Sequence, residues 1–163
     1  MDYIFRKATK EEIPVMFEII GERVKWMDKM GIKQWNTTNY AEVYPLSYFE
    51  QKRQNDECFV LEEKGTGKIL AVAVLLKQDA RWKNKASALY LHNFASRIEY
   101  KGIGSIFLLL AEEYTKNQGY EYMRLDSDID NKSLEEYYTV RGYKAVGSCI
   151  DGLYKGTLRE KKL

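Results

Sequence analysis

The stretch from Ala88 to Glu113, ALYLHNFASRIEYKGIGSIFLLLAEE, constrains this chain more than any other. An apolar run bounded by Ser87 and Ser96 predicts a strand, and LLLAEE beyond it predicts a helix. Between them lies Lys101-Gly102-Ile103-Gly104-Ser105. Glycines at 102 and 104 permit backbone conformations and close approaches that a side chain would block, so several N–H groups can converge on the first helical turn. With a helix N-terminus equivalent to roughly half a positive charge, those donors make a seat for an anion such as a pyrophosphate. The same glycine pair also suits a plain tight turn from strand to helix, and the GxG spacing alone does not separate the two.

A chain of 163 residues suits one domain, 1–163, with a full core. Its 45% hydrophobic and 31% charged residues exclude disorder. The 26 basic and 24 acidic side chains leave a net charge of +2, too balanced for a partner bound by phosphate neutralisation, so no nucleic-acid partner is expected. Cys58 and Cys149 sit in separate strand-like runs without metal-ligand spacing, which argues against a zinc site and for thiols in a reducing cytosol. The N-terminal MDYIFRKATKEE lacks the regions of a signal peptide, and no apolar run approaches the ~20 residues of a membrane span. The expectation is a cytoplasmic protein with no membrane partner.

Taken in order, Tyr3 to Lys7 predicts a short strand, and Thr9 with Glu12 three residues on forms a capping-box pattern. Ile13, Met16, Phe17, Ile20, Val24 and Met27 recur at helical spacing up to a stop at Gly31. The segment 31–45 has no regular period but holds Trp35, Asn36, Tyr40 and Tyr44. It reads either as one wall of a substrate pocket or as a loop whose Trp35 folds back into the core. LSYFEQKRQ predicts a second helix. Glu57 to Glu63 and Lys68 to Leu76 predict a hairpin, whose second strand, apolar on both parities, is covered on both faces. Gln78 to Lys85 reads as a polar loop with its basic residues in water. Tyr122 to Ser127 predicts a strand parallel to the one between Ser87 and Ser96. Asn131 caps a short helix, LEEYYTV, and 143–149 with 153–158 close the chain as a second hairpin. The order β α α β β β α β α β β implies an α/β domain with a mixed sheet of about seven strands flanked by four helices.

The strand LHNFAS, the turn KGIGS, the helix LLLAEE, the strand MRLDSD and the run DNKSLEEYYTVRGY together resemble the acetyl-CoA-binding core of the GNAT superfamily of N-acetyltransferases. The resemblance implies a single-domain GNAT-like fold with acetyl-CoA as cofactor. It implies that the diphosphate docks on Tyr100, Lys101, Gly102, Ile103, Gly104 and Ser105. The pantetheine arm would pair with the backbone of Phe94, Ala95 and Ser96, in a gap where the strands holding Phe94 and Ser127 splay apart. Asn131 would hydrogen-bond that arm, a role compatible with capping its helix. One residue departs from the family pattern: Glu99 stands three residues before the first glycine, where Arg or Gln is usual. Phosphate recognition is then expected from backbone amides and Lys101, with Glu99 turned to solvent and Arg97 able to swing in.

Moving an acyl group from a thioester to an amine needs a neutral amine, a stabilised oxyanion and a proton for the departing thiolate. A lysine-like amine with a pKa of about 10.4 is less than ~0.1% neutral at pH 7, so a base or a water chain assists. The resemblance implies Tyr138 as the acid that protonates the leaving sulfur; its other reading is packing. His92, the single histidine, suits a general base by its ordinary titration range, and equally suits a structural role in a central strand. Alternation groups Tyr90, His92 and Phe94 on one face, with Asp126 or Asp128 of the next strand available to orient the ring. A backbone N–H near Phe94 or Ala95 would stabilise the oxyanion. No Cys or Ser motif suggests a covalent intermediate, so direct attack in a ternary complex is expected. The acceptor would be a small-molecule or peptide amine, and edge strands near the C-terminus leave room for a homodimer. A non-catalytic acyl-CoA-binding module is the competing reading.

Overall fold

The computed structural model describes residues 2–163. Seven strands form one mixed sheet: β1 (Tyr3–Lys7), β2 (Cys58–Glu63), β3 (Ile69–Leu76), β4 (Ala88–Ser96), β5 (Tyr122–Asp128), β6 (Lys144–Asp151) and β7 (Tyr154–Lys162), in the order β1-β2-β3-β4-β5-β7-β6. The helices are α1 (Ile13–Met30), α2 (Tyr40–Val43), α3 (Leu46–Gln54), α4 (Ile103–Asn117) and α5 (Lys132–Thr139), so four long helices accompany one single-turn helix. The chain divides into two compact units, Met1–Leu75 with Asn93–Ala111, and Leu76–His92 with Glu112–Leu163.

In the first unit β1, β2 and β3 run antiparallel to their neighbours, and all eight residues of β3 are buried. An apolar run of eight can be a strand only where both faces are covered, which is why no alternation shows in its sequence. Phe5 stacks on Phe59, and Phe107 of α4 meets both Phe5 and Phe94 at ring distances of 5.2 and 5.0 Å. The α1 stripe buries Ile13, Met16, Ile19, Ile20 and Met27. Gly31 ends the helix at φ 69°, a left-handed conformation open to glycine, and lets the Ile32 N–H reach the Met27 carbonyl at 2.9 Å. Glu12 accepts from the Thr9 N–H at 2.8 Å, but the turn it closes is a 3₁₀ turn, Lys10–Glu12, ahead of α1. The segment 31–45, expected to be irregular, holds a second such turn at Trp35–Thr37 and then α2.

In the second unit β5 runs parallel to the start of β4, in register from Ala88↔Tyr122 to Leu91↔Leu125, and antiparallel to β7. The β6–β7 hairpin turns at Gly152, with Asp151 opposite Tyr154. The Asn131 side chain accepts from the Leu134 N–H at 3.1 Å, so it caps α5. Arg124 lies under the Trp82 ring at 4.2 Å and bonds Glu160 at 3.0 Å. Glu112 joins the Tyr143 hydroxyl at 2.8 Å to Lys161 at 2.6 Å. No helix among the described residues is long and apolar enough to cross a membrane.

Candidate functional site

In the first unit β4 changes character at Asn93, whose φ of 53° is left-handed in the middle of a strand. The Asn93 carboxamide donates to the Tyr40 hydroxyl and accepts from the Tyr48 hydroxyl at 3.3 Å, two bonds that hold a conformation disfavoured for a side-chain-bearing residue. The regular alternation expected to group Tyr90, His92 and Phe94 therefore stops here. Beyond it Phe94 and Ser96 are half-buried and Ala95 is buried. Arg23 of α1 donates to the Ser96 carbonyl at 2.6 Å and to its hydroxyl at 3.1 Å, so part of the backbone expected to face a cofactor arm is already engaged.

The turn follows. Gly102 takes φ 81°, and helical bonding in α4 begins with the Ile106 N–H on the Gly102 carbonyl. The amides of Ile103 and Gly104 precede that first intrahelical bond and point out along the helix axis. Lys101 and Gly102 are exposed, Tyr100, Gly104 and Ser105 half-buried, and Ile103 buried. Glu99, the single carboxylate of residues 97–105, is 60% exposed and lies 3.7 Å from Lys68, which also donates to the Tyr100 hydroxyl at 2.8 Å. Glu99 thus faces solvent as expected. Arg97 does not swing toward the turn: it bonds the Ile69 carbonyl at 2.8 Å and pairs with Glu18 and Glu22 of α1. A turn with outward amides, an exposed lysine and its acidic group drawn elsewhere fits a diphosphate.

The aromatic segment of this unit is a chain of rings. Trp35 stacks on Tyr40 at 4.5 Å, Tyr40 meets Tyr44 at 4.8 Å, and Tyr44 meets Tyr48 at 4.9 Å. Tyr40 is the buried link; Trp35, Asn36 and Tyr44 stay half-buried, and the Asn36 amide donates to Asp28 at 2.7 Å. The core position thus goes to Tyr40 and not to Trp35.

The second unit holds a polar cluster around His92. Its Nε2 lies 2.7 Å from Asp79 Oδ2 and 3.8 Å from Asp126 Oδ1. Arg81 pairs with Asp126 at 3.2 Å and with Asp151 at 2.7 Å, and the Tyr154 hydroxyl donates to Asp126 at 2.6 Å. Burial alone would raise the Asp79 carboxyl, but the hydrogen bond and charge of His92, with the backbone N–H and charge of Arg81, outweigh it and hold the group below its ordinary value. Ligand-type atoms of Asp79, His92 and Asp126 lie within 4.8 Å of one another. The Nε2 to Asp79 bond and the guanidinium on Asp126 already balance these carboxylates, which makes the group a hydrogen-bonded network.

Tyr138 of α5 is buried, its ring edge-on to Tyr137 at 5.2 Å and to Tyr143 at 5.6 Å. Burial, with the nearby Tyr137 and Asp126, pushes its phenol well above the ordinary range. A phenol is protonated near neutrality in any environment, so what burial adds here is a penalty on the phenolate, which makes this group a weaker acid than a free tyrosine. Burial pushes the Cys58 thiol up to about 12 and that of Cys149 up to about 11, which leaves neither as a thiolate nucleophile at neutral pH.

The profile of the Acetyltransferase (GNAT) family matches residues 22–143, three quarters of the chain and drawn from both units. The chain belongs to the GNAT acetyltransferase family. Acetyl-CoA-dependent acetyl transfer is the activity of that family, and acetyl-CoA its cofactor. No curated protein sequence matches the chain. Solved structures share its fold at low identity. A GNAT-family acetyltransferase from Listeria monocytogenes 4b F2365 is 19% identical with a TM-score of 0.79, covering 99% of this chain and 95% of its own. The PaiA N-acetyltransferase from Thermoplasma acidophilum, solved in complex with coenzyme A, is 22% identical with a TM-score of 0.74 over 100% of both chains. Ard1 from Thermoplasma volcanium is 12% identical with a TM-score of 0.71, covering 100% of this chain and 99% of its own.

Within this GNAT chain, the residues expected for the diphosphate occupy one turn of the first unit, and His92 and Tyr138 both lie in the second. Sequence reasoning missed Asp79 and Arg81. The basic residues of the loop 78–85 were expected to face water, and Lys83 and Lys85 do, but Arg81's side chain is 14% exposed and the neighbouring Trp82 is buried. The signal was present in Trp82 itself, a large apolar ring with no reason to sit in a solvated loop. Asp128, which strand alternation offers to His92 as readily as Asp126, instead accepts from the Asp130 N–H at 2.9 Å.

Proposed function

We propose that this GNAT chain acetylates a primary amine of a small molecule or peptide by direct attack, with His92 as general base and Tyr138 as general acid. The observation that carries the proposal is the hydrogen bond of the single histidine, itself buried, to an ionised carboxylate. Such a dyad stabilises a proton arriving on the ring. When bound, acetyl-CoA supplies the thioester whose acyl carbon takes the amine. The amides of Ile103, Gly104 and Ser105, with Lys101 and the backbone of Tyr100 and Gly102, would hold its diphosphate. The backbone of Phe94, Ala95 and Ser96 would pair with its arm like an added strand, and a backbone N–H near Phe94 or Ala95 would steady negative charge on oxygen. Asn131 would reach the same arm while capping α5. Trp35, Asn36, Tyr40 and Tyr44 would contribute to acceptor choice.

His92 accepts the proton released by the amine, and Tyr138 gives one to the sulfur as the C–S bond breaks. Residues 1–163 would act as one acetyltransferase domain. Its two cysteines are free and buried, in keeping with a reducing cytoplasm, and the β6 edge of the sheet offers a homodimer contact.

Thiol release from acetyl-CoA by purified protein, followed across a panel of amines, tests the activity. One or more amines should accelerate release, and Tyr138→Phe should lower kcat on the order of 10²-fold with little change in acetyl-CoA affinity. Tight binding of acetyl-CoA with no amine accelerating release would make the chain a binding module, and an unchanged kcat in Tyr138→Phe would remove that residue from the mechanism.

A further inference from the structure

The His92 cluster contains more information than the presence of a base. Asp79 reaches His92 through one oxygen only. Its Oδ1 accepts the Arg81 backbone N–H at 3.0 Å, and its Oδ2 meets His92 Nε2 at 2.7 Å. Asp126, the other carboxylate near the ring, is 3.8 Å away and is already engaged on both oxygens by Arg81 and on Oδ2 by the Tyr154 hydroxyl. Among the described residues Nε2 therefore has one close partner. Asp79 accepts the Arg81 backbone N–H, and a side-chain carboxyl ordinarily ionises well below neutrality; as a carboxylate it can only accept. The hydrogen on that contact must then sit on Nε2.

We propose that Asp79 is the positioning residue of this enzyme: it locks His92 in the Nε2–H tautomer and so presents the Nδ1 lone pair to the acceptor's proton. This rests on the reading of His92 as base. Asp79 would act through the ring of His92. The proton balance is simple. Nδ1 takes the proton that the amine loses as its N–C bond forms, the ring becomes imidazolium, and the Nε2–H···Asp79 bond gains charge assistance. Arg81 completes the arrangement from both sides, its backbone orienting Asp79 and its guanidinium neutralising Asp126, so that Asp126 does not compete for the ring.

The single histidine makes the test unambiguous, because every imidazole signal belongs to His92. Long-range ¹H–¹⁵N correlation spectra of the ¹⁵N-labelled protein, without cofactor and at about pH 8, above the ordinary imidazole range near 6.5, distinguish the two tautomers and the imidazolium. The expected wild-type spectrum is Nε2–H with Nδ1 unprotonated. An Nδ1–H ring, or a doubly protonated one, overturns the proposal without any variant being made. In Asp79→Asn the carboxamide can donate to Nε2 and the tautomer should shift toward Nδ1–H, with kcat falling on the order of 10²-fold and KM for the amine changing little. Asp79→Glu, which keeps the carboxylate, should retain the Nε2–H ring and recover part of kcat. A tautomer unchanged in Asp79→Asn refutes the role of Asp79. A shifted tautomer with unchanged kcat refutes the use of Nδ1 and, with it, the reading of His92 as base, so the two failures are told apart.

Discussion

Replacing Arg81 with Met removes a guanidinium that joins two carboxylates while keeping most of the apolar stem. Its Nη1 lies 3.2 and 3.3 Å from the oxygens of Asp126, and its Nη2 lies 2.7 Å from Asp151. The two arms are unequal, because the Asp126 side chain is 8% exposed and that of Asp151 is 56% exposed. Solvent screens the Asp151 arm, which contributes about 0.5 kcal/mol. Stripping the partner from a fully buried carboxylate costs about 3–5 kcal/mol. Asp126 keeps the Tyr154 hydroxyl at 2.6 Å as a donor, which brings the expected loss to about 2–3 kcal/mol. In a chain of this length each kcal/mol shifts Tm by about 2–4 °C, so Arg81→Met should melt about 5–10 °C lower. Urea denaturation of a double-mutant cycle resolves the arms. Coupling of Arg81→Met to Asp126→Asn should exceed about 1 kcal/mol, and coupling to Asp151→Asn should stay below about 0.5 kcal/mol. A Tm within about 1 °C of wild type would refute the reasoning, since that is the behaviour of a solvated loop arginine.

Two further outcomes follow from side chains at the sheet and the turn. A Cβ at Gly156 would stand 2.8 Å from the Tyr154 hydroxyl and 3.0 Å from Cys149 Sγ, so Gly156→Ala should push Tyr154 off Asp126. The urea midpoint should report a loss of about 1–3 kcal/mol, and an unchanged midpoint would show that the Tyr154 ring is not fixed there. Glu99→Arg breaks only an exposed contact with Lys68 and adds positive charge to the turn, so acetyl-CoA should bind at least as tightly by calorimetry. Clearly weaker binding would give Glu99 a positive role.

Much of this protein is written in short-range spacing. The α1 stripe with its stop at Gly31, the hairpins, the glycine turn into α4 and the Asn131 cap each depend on residues at most a few positions apart, and local hydrogen bonds and periodicity encode them directly. Their order along the chain was enough to make the fold family legible. The contacts around the base were decided elsewhere. Asp79 is 13 residues from His92, Arg81 is 45 from Asp126 and 70 from Asp151, and Asn93 is 53 from Tyr40. A charged residue in a polar loop has the same local signature whether it ends in water or against a buried carboxylate, and a strand residue gives no local warning that distant tyrosine hydroxyls will hold it left-handed. Only when the chain closes do the desolvated groups have to find partners, and that requirement, a property of the folded interior, chose which carboxylate the histidine meets.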